Sequence, residues 1–165
     1  MVSTLVQNYQ IHAAWQPVDV NAGAVTCDWI EVQNHTHFTF LGIHNDLAAS
    51  TMTYTFAQAD DSGGGNSAAL TVIMDSWEMT HASSIITAGL VWAHTANSSA
   101  AATVAGTTAQ TGMIVVDFES SQLTDGKTAV RCTPTEDAAA AQIAAGFWIL
   151  GNSRYAQDVI ATANS

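Results

Sequence analysis

Basic side chains are nearly absent from this sequence. Three Lys and Arg residues stand against fourteen Asp and Glu residues, which gives a formal net charge of −11 at pH 7. A nucleic-acid partner requires a basic surface that neutralises phosphates, and three dispersed cations cannot form one. The same shortage argues against an anionic membrane surface. The composition therefore predicts a protein whose partners include neither nucleic acid nor a membrane.

Long apolar runs are also missing. No stretch reaches the roughly 20 apolar residues of a transmembrane helix, and the nearest candidate, residues 138–150, is short and mostly alanine. Residues 1–16 contain no basic region followed by a continuous apolar segment, so we predict no signal peptide. Of the 165 residues, 48% are hydrophobic and only 10% are charged, which is too apolar for intrinsic disorder. We expect a single folded domain over 1–165.

Cysteine is scarce as well. The only two cysteines, Cys27 and Cys132, are far apart and match no metal-binding or redox spacing. We interpret them as two small core residues. A disulfide between them is the alternative.

Alternation of apolar and polar residues with a period of two is the dominant pattern, and it is typical of half-buried strands. It is clearest at residues 51–57, where Met52, Tyr54 and Phe56 alternate with threonines. Turn-rich segments such as 60–67 and 125–126 separate the predicted strands. We predict an all-β fold, an antiparallel two-sheet β-sandwich or jelly roll. Further strands are predicted at 25–29, 36–40, 70–74, 77–79, 85–93, 114–118, 130–132 and 146–150.

Two segments depart from this pattern. Around residues 136–145, Thr135 offers an N-cap, the next two acidic residues complement a helix dipole, alanines follow, and Gly146 offers an end. These features favour one short helix, whereas the competing interpretation is an acidic loop that enters a last strand near Ile143. Residues 97–110 are small and without pattern, so we predict a long loop or an extended arm there.

Two groups of residues are candidates for metal binding. His35 and His37 have the i, i+2 spacing that places side chains on one face of a strand, with His44 or an acidic neighbour as a further ligand. Exposed polar histidines are the favoured interpretation. Asp60, Asp61 and Asn66 offer oxygen ligands for calcium on a glycine-rich loop, but the loop lacks the ligand spacing of a typical calcium loop. A plain hairpin connection is favoured, and we predict no metal and no cofactor.

Catalytic patterns are weak. Asp75, His81 and either Ser83 or Ser84 are the residue types of a catalytic triad, but a triad is defined by geometry, and no nucleophile-elbow motif accompanies them. We therefore do not predict an enzyme. The tryptophans fit either a core or an interface. Among Trp15, Trp77 and Trp92, we expect most of the side chains to lie in the core.

The C-terminal third carries four motifs in a recognisable order: IVVDFE (114–119), LTDGK (123–127), AVRCT (129–133) and GFWILGNSRYA (146–156). Further motifs lie upstream at DWIEVQN (28–34) and in a strand-loop-strand unit at 54–70. The order resembles that of small structural proteins of tailed bacteriophages. In those proteins an acidic strand, a Leu-x-Asp-Gly turn, a strand with an arginine between apolar residues and an apolar closing strand ending in Pro-Arg-Tyr-Ala follow one another. Here Ser153 takes the place of the proline.

The resemblance implies a virion component, a capsid decoration or cement protein on the outer surface of the shell. Its partners would be the major capsid protein and further copies of itself, as a dimer or trimer. Because packaged DNA repels an acidic domain, the outer surface is favoured over the lumen. A tail, neck or fibre component is the first alternative. A soluble carbohydrate- or calcium-binding β-sandwich module is the second.

The two ends of the chain are the candidates for contact with the shell. We predict extended arms at about 1–10 and 157–165 that become ordered on the capsid. Arg154 and Tyr155 are the candidate interface residues. Arg154 would anchor the C-terminal segment through a bidentate contact with a carboxylate, and an ordinary surface ion pair is the alternative.

Overall fold

Two antiparallel sheets pack against each other in the computed structural model of the chain. The prediction of an all-β sandwich is confirmed. The structure describes residues 9–45, 51–71, 74–81, 91–97, 101–105, 111–137 and 141–153.

Within the described ranges, one sheet has six strands and the other has five. The larger sheet has the order β1 (Gln10–Asp19), β11 (Ile143–Ser153), β3 (His35–His44), β9 (Thr111–Glu119), β6 (Met74–His81) and β7 (Ala93–Asn97). The smaller sheet has the order β2 (Ile30–Glu31), β10 (Ala129–Glu136), β4 (Thr51–Ala59) and β5 (Ala68–Ala69), and β8 (Ala101–Ala105) also pairs with β4. Two 3-10 helices, η1 (Val20–Ala22) and η2 (Ser120–Gln122), follow β1 and β9. Within the described ranges no helix has the length and hydropathy of a membrane span.

Aromatic side chains fill the space between the sheets. On β4, Tyr54 and Phe56 are fully buried, as the alternation predicts, and they meet the buried face of β3. The Phe56 ring lies 5.4 Å from Phe40 and 5.0 Å from Phe118, both in edge-on geometry. Trp148 of β11 joins the same cluster at 5.3 Å from Phe40. Large rings in these orientations supply most of the apolar area that holds the two sheets together.

Glycine permits close contact at the centre of this core. An alanine Cβ at Gly146 would stand 2.5 Å from two carbons of the Trp15 ring. The pairing of β1 with β11 shifts register on either side of Trp15, and the indole stacks with Phe40 at 5.7 Å. The irregular first strand therefore delivers a tryptophan into the core over a position that has no side chain.

Both cysteines are free thiols in the structure. Cys132 is buried in the core and Cys27 packs against it, as the first of the two interpretations predicts. Burial raises the pKa of both thiols, that of Cys132 well above its usual value. Both therefore stay protonated at neutral pH, and a protonated thiol is a poor nucleophile.

The helix predicted at 136–145 is wrong. Glu136 is the last residue of β10, opposite Met52, and Ile143 is the first residue of β11, opposite Asp19. Residues 138–140 lie outside the described ranges. Ladder pairing on both sides outweighs the helix propensity of the alanines. The competing interpretation, a last strand entered near Ile143, is confirmed.

Other strand predictions also needed correction. Residues 101–105 form β8, where the sequence analysis predicted a loop or arm, because small side chains allow this strand to lie along β4. No strand forms at 25–29, and β1 was not predicted because its register shifts interrupt the alternation. Gln10 belongs to β1 and not to an N-terminal arm. The arm residues 1–8 and 157–165, and most of the strand predicted at 85–93, lie outside the described ranges.

Substituting Gly146→Ala tests the contact with Trp15. The new Cβ forces the ring or the strand to move, so we expect the free energy of unfolding to fall by about 1–3 kcal/mol, the usual cost of overpacking. Urea denaturation measures the change. In a Trp15→Phe background the smaller ring leaves room, so the same substitution should cost less. Equal costs in the two backgrounds would contradict the packing described here.

Candidate interaction surface

The three histidines considered as metal ligands have separate surroundings. His35 is buried, with its Nδ1 3.3 Å from the Gly151 carbonyl oxygen. His37 is part-exposed, and its Nε2 lies 3.6 Å from Asp117 Oδ1. His44 ends β3 nine positions from His35, roughly 30 Å along the strand. Among the described residues no group of three or more His, Cys, Asp or Glu side chains could hold a metal ion.

A hydroxyl, an imidazole and a carboxylate do meet on β3 and β9. The Thr39 hydroxyl donates to Asp117 Oδ1 at 2.5 Å, while His37 Nε2 lies 3.4 Å from the same hydroxyl oxygen. In a catalytic triad the histidine accepts the hydroxyl proton and the acid binds the other ring nitrogen. Here Asp117 accepts the hydrogen bond from the Thr39 hydroxyl directly. The same histidine nitrogen, His37 Nε2, lies near both the hydroxyl and the carboxylate. This geometry does not activate the hydroxyl as a nucleophile.

The residues considered for a triad around β6 are also apart. Asp75 and His81 lie near opposite ends of that one strand, about 20 Å from each other at the usual rise per residue. The nearest described partner of Asp75 is His94 on β7, with 3.4 Å between His94 Nε2 and Asp75 Oδ1. Ser83 and Ser84 lie outside the described residues.

The loop that offers Asp60, Asp61 and Asn66 already contains a cation from the chain itself. Lys127 Nζ lies 2.6 Å from Asp60 Oδ1 and 2.5 Å from the Asn66 carbonyl oxygen. The hydrogen bonds from Lys127 and then Asn66 lower the pKa of Asp60. Asp61 Oδ1 accepts from the backbone N–H groups of Gly63 and Gly65, as in a tight turn. An ammonium group thus takes the position among these oxygens that the sequence analysis considered for calcium.

The same loop is joined to the Leu-Thr-Asp-Gly turn. The buried Gln58 side chain donates to Thr124 Oγ1 at 2.8 Å and accepts from the Thr124 backbone N–H at 2.8 Å. Thr128 Oγ1 donates to the Asp60 carbonyl oxygen at 2.7 Å. Gly126 supplies the positive φ of +84° that the turn requires. The motif LTDGK therefore holds two loops together, which gives it a structural role.

The second described cation is also used within the chain. The Arg131 guanidinium lies 4.5 Å from the centroid of the Trp29 ring, in a cation–π contact. The same indole lies against Gly64, whose positive φ of +82° favours glycine. The remaining basic residue, Arg154, and the neighbouring Tyr155 lie outside the described residues. Their predicted role at an interface stays a prediction.

One surface stands out by its apolar character. We call it the outer face: the side of the six-stranded sheet that points away from the core, where every second residue is only part-buried. Cross-strand pairing aligns large side chains from different strands into rows on it. The central row is Ala13, Phe147, Leu41, Val115, Trp77 and His94, and the next is Ala145, Ile43, Met113 and Met79. The outer face is therefore apolar across five adjacent strands.

Polar groups on the outer face collect at one end of the strands. Asp75 and Asp117 each have a histidine within 4 Å, and Glu119 follows at the end of β9. These side chains border a shallow depression of about 220 Å³ that Trp77 also lines. This is below the usual volume range of small-molecule sites, about 300–1,000 Å³. The polar end is therefore a rim of the apolar surface.

The exposed side of the five-stranded sheet differs completely. Its rows consist mainly of small side chains, such as Thr53 opposite Thr135 and Thr103, and Arg131 lies on the same side opposite Ala57. A groove of about 370 Å³ borders this sheet between η1 and β10, and its only charged side chain is Glu136. Burial, followed by Asp19 and Asp137, raises the pKa of Glu136. This side of the molecule resembles an ordinary solvated surface.

Sequence reasoning did not identify the outer face. Its signal is present in residues 146–150 and 114–116, where consecutive residues are apolar and alternation is lost. Such runs are typical of strands that are covered on both faces. The preference for the core holds for Trp15, which is 4% exposed, whereas Trp92 is 41% exposed. Trp77 lies on the outer face with its ring 5.3 Å from His94.

A buried histidine lies on the core side of β3. His44 is 1% exposed, and its Nδ1 lies 2.8 Å from the Tyr54 hydroxyl oxygen. Its other nitrogen, Nε2, has no hydrogen-bond partner among the described residues and points at Gly112. Burial lowers the pKa of His44 to about 4 and raises that of Tyr54 well above its usual value. Both side chains are therefore neutral in the folded protein at pH 7.

No protein-family model matches the sequence, and no curated protein matches it either. The functional interpretation therefore depends on the residue pattern and on the geometry of these surfaces.

Removing the Lys127 ammonium tests its role in the loop. Lys127→Met keeps most of the apolar side chain but loses both charged hydrogen bonds, and the side chain is only 13% exposed. We expect Tm to fall by a few degrees, as for the loss of a modest interaction in a domain of this size. Asp125→Asn, an exposed change in the same turn, should leave Tm unchanged. A rise in the Tm of the wild-type protein on adding calcium would contradict the assignment of Lys127 as the cation of this loop.

The buried His44 predicts a specific dependence of stability on pH. The folded protein keeps the imidazole neutral down to pH 4, whereas the unfolded chain takes up a proton near pH 6.5. Stability is therefore unaffected by this group above pH 6.5 and falls by about 3 kcal/mol as the pH drops from 6.5 to 4. His44→Gln should flatten this part of the curve in urea denaturation. Identical pH slopes in the two proteins would contradict the assignment.

Proposed function

We propose that the protein is a structural component of a bacteriophage virion, a decoration protein that binds the outer surface of the capsid shell. The observation that carries this proposal is the outer face, where large apolar side chains remain part-exposed across four adjacent strands. Contiguous apolar surface of this kind marks a site of protein association. The order of motifs shared with phage structural proteins supplies the virion context.

Several features support adhesion as the role of the chain. The polar groups that resemble catalytic or metal-binding clusters are paired with one another, as in the Lys127 loop and the Thr39 hydroxyl bond. The paired sheets give a rigid scaffold, and a net charge of −11 disfavours contact with packaged DNA. A protein that attaches many times to a lattice needs only modest affinity at each contact, because multivalency multiplies the effect.

Binding to shells that lack the protein is the direct test. Purified protein is mixed with shells of the phage that encodes it, prepared without this gene, and bound copies are counted by gel densitometry. We expect saturation at a copy number comparable to that of the major capsid protein, and greater resistance of the shells to heat. Lys127→Met protein assayed below its Tm serves as a control, because its change lies away from the outer face.

Two results would contradict the proposal. If the protein does not bind these shells, it is not a decoration protein of the capsid surface. Saturation at a handful of copies per particle would instead indicate a tail, neck or fibre component.

A further inference from the structure

We propose that the outer face is the interface of a two-fold symmetric dimer, in which it packs against the same face of a second copy of this chain. The inference deepens the proposed function, on which it rests: a second copy covers the apolar surface, and the dimer binds the shell as a unit. Three features carry it: the area that six strands span, the packing preference of an apolar sheet surface and the distribution of charge around it.

The area of the outer face is that of a stable interface. Six strands about 4.8 Å apart, with four outward positions at about 6.7 Å spacing, give a face of roughly 700 Å². Specific protein interfaces bury about 800 Å² on each partner. Part-exposed Leu41, Val115 and Phe147 occupy its centre, and the carboxylates lie at one end. A central apolar patch with a polar rim is the usual anatomy of such an interface.

The apolar character of this sheet surface favours a second sheet as its partner. Sheets pack face to face at about 10 Å when both inner faces are apolar, as the six-stranded sheet already does with the aromatic side of the five-stranded sheet. Among the described residues, the exposed side of the five-stranded sheet carries mainly small side chains such as Thr53 and Thr103, so it offers no matching apolar surface. A surface that pairs with its own copy forms a closed, two-fold dimer.

The charges also permit this pairing. Two chains that each carry a net charge of −11 repel one another wherever unpaired carboxylates meet. The central row of the outer face contains no carboxylate. Asp117 and Asp75 at its polar end lie 3.6 Å and 3.4 Å from histidine nitrogens. The outer face is therefore a place where two copies can meet without opposing unpaired carboxylates at the centre.

Sedimentation equilibrium over a dilution series tests the dimer, with the wild-type protein in the absence of shells. We expect a reversible monomer–dimer equilibrium. Val115→Lys places a charge at the centre of the face and should raise the dissociation constant about a hundredfold. Thr53→Lys is the matched control, since it places the same charge at the middle of the other exposed sheet face, and it should leave the equilibrium unchanged. Circular dichroism confirms that each variant is folded, and Leu41→Gln replaces Val115→Lys if that variant is not.

Shell binding of the same proteins separates this inference from the proposed function. A wild-type protein that is monomeric at every concentration but binds shells overturns the dimer and leaves the function standing, with the shell as the occupant of the face. A wild-type dimer that fails to bind shells contradicts the function and leaves the dimer standing. A folded Val115→Lys protein that still dimerises overturns the assignment of the interface.

Discussion

The structure depends on one constraint: the central strands of the six-stranded sheet carry large apolar side chains on both faces. Trp148 and Phe40 point into the core, while their neighbours Phe147 and Leu41 point the other way. In the described part of the chain, the five-stranded sheet covers only one of these faces. Water beside the uncovered face is unfavourable in proportion to the apolar area exposed. Association with another protein surface removes that cost.

Charged and hydroxyl side chains in the described part of the chain largely bind other groups of the same chain. Lys127 holds the 60–67 loop, Arg131 covers Trp29, and Thr39 donates to Asp117. Each of these contacts fixes a loop or a strand pair. The motif LTDGK has this structural role, because Thr124 and Lys127 connect the two loops.

The sequence predicts those parts of the fold that depend on local residue patterns. The alternation of Met52, Tyr54 and Phe56 identified β4, because a strand repeats every two residues and one side of it is buried. For the segment near 136–145, local features leave a short helix and a last strand entered near Ile143 as alternatives. Its real conformation is set by pairing with β4 and β1, which lie far away in sequence. β1 itself escaped detection because register shifts break its pattern.

The outer face was harder to predict from the sequence. Leu41, Val115 and Phe147 are separated by dozens of residues and become neighbours only through the order of the strands. The Lys127 contact was missed for the same reason, since Asp60 is far away in sequence. The apolar runs at 114–116 and 146–150 were the one local signal. They indicate strands covered on both faces, although they do not name the covering partner.

Electron microscopy of shells that carry the protein, at a resolution that separates the two sheets, would show whether another protein surface covers the outer face. The account predicts that the outer face of the six-stranded sheet is covered by protein density, with the threonine rows of the five-stranded sheet free of this contact. An outer face open to solvent in the assembled particle would contradict it.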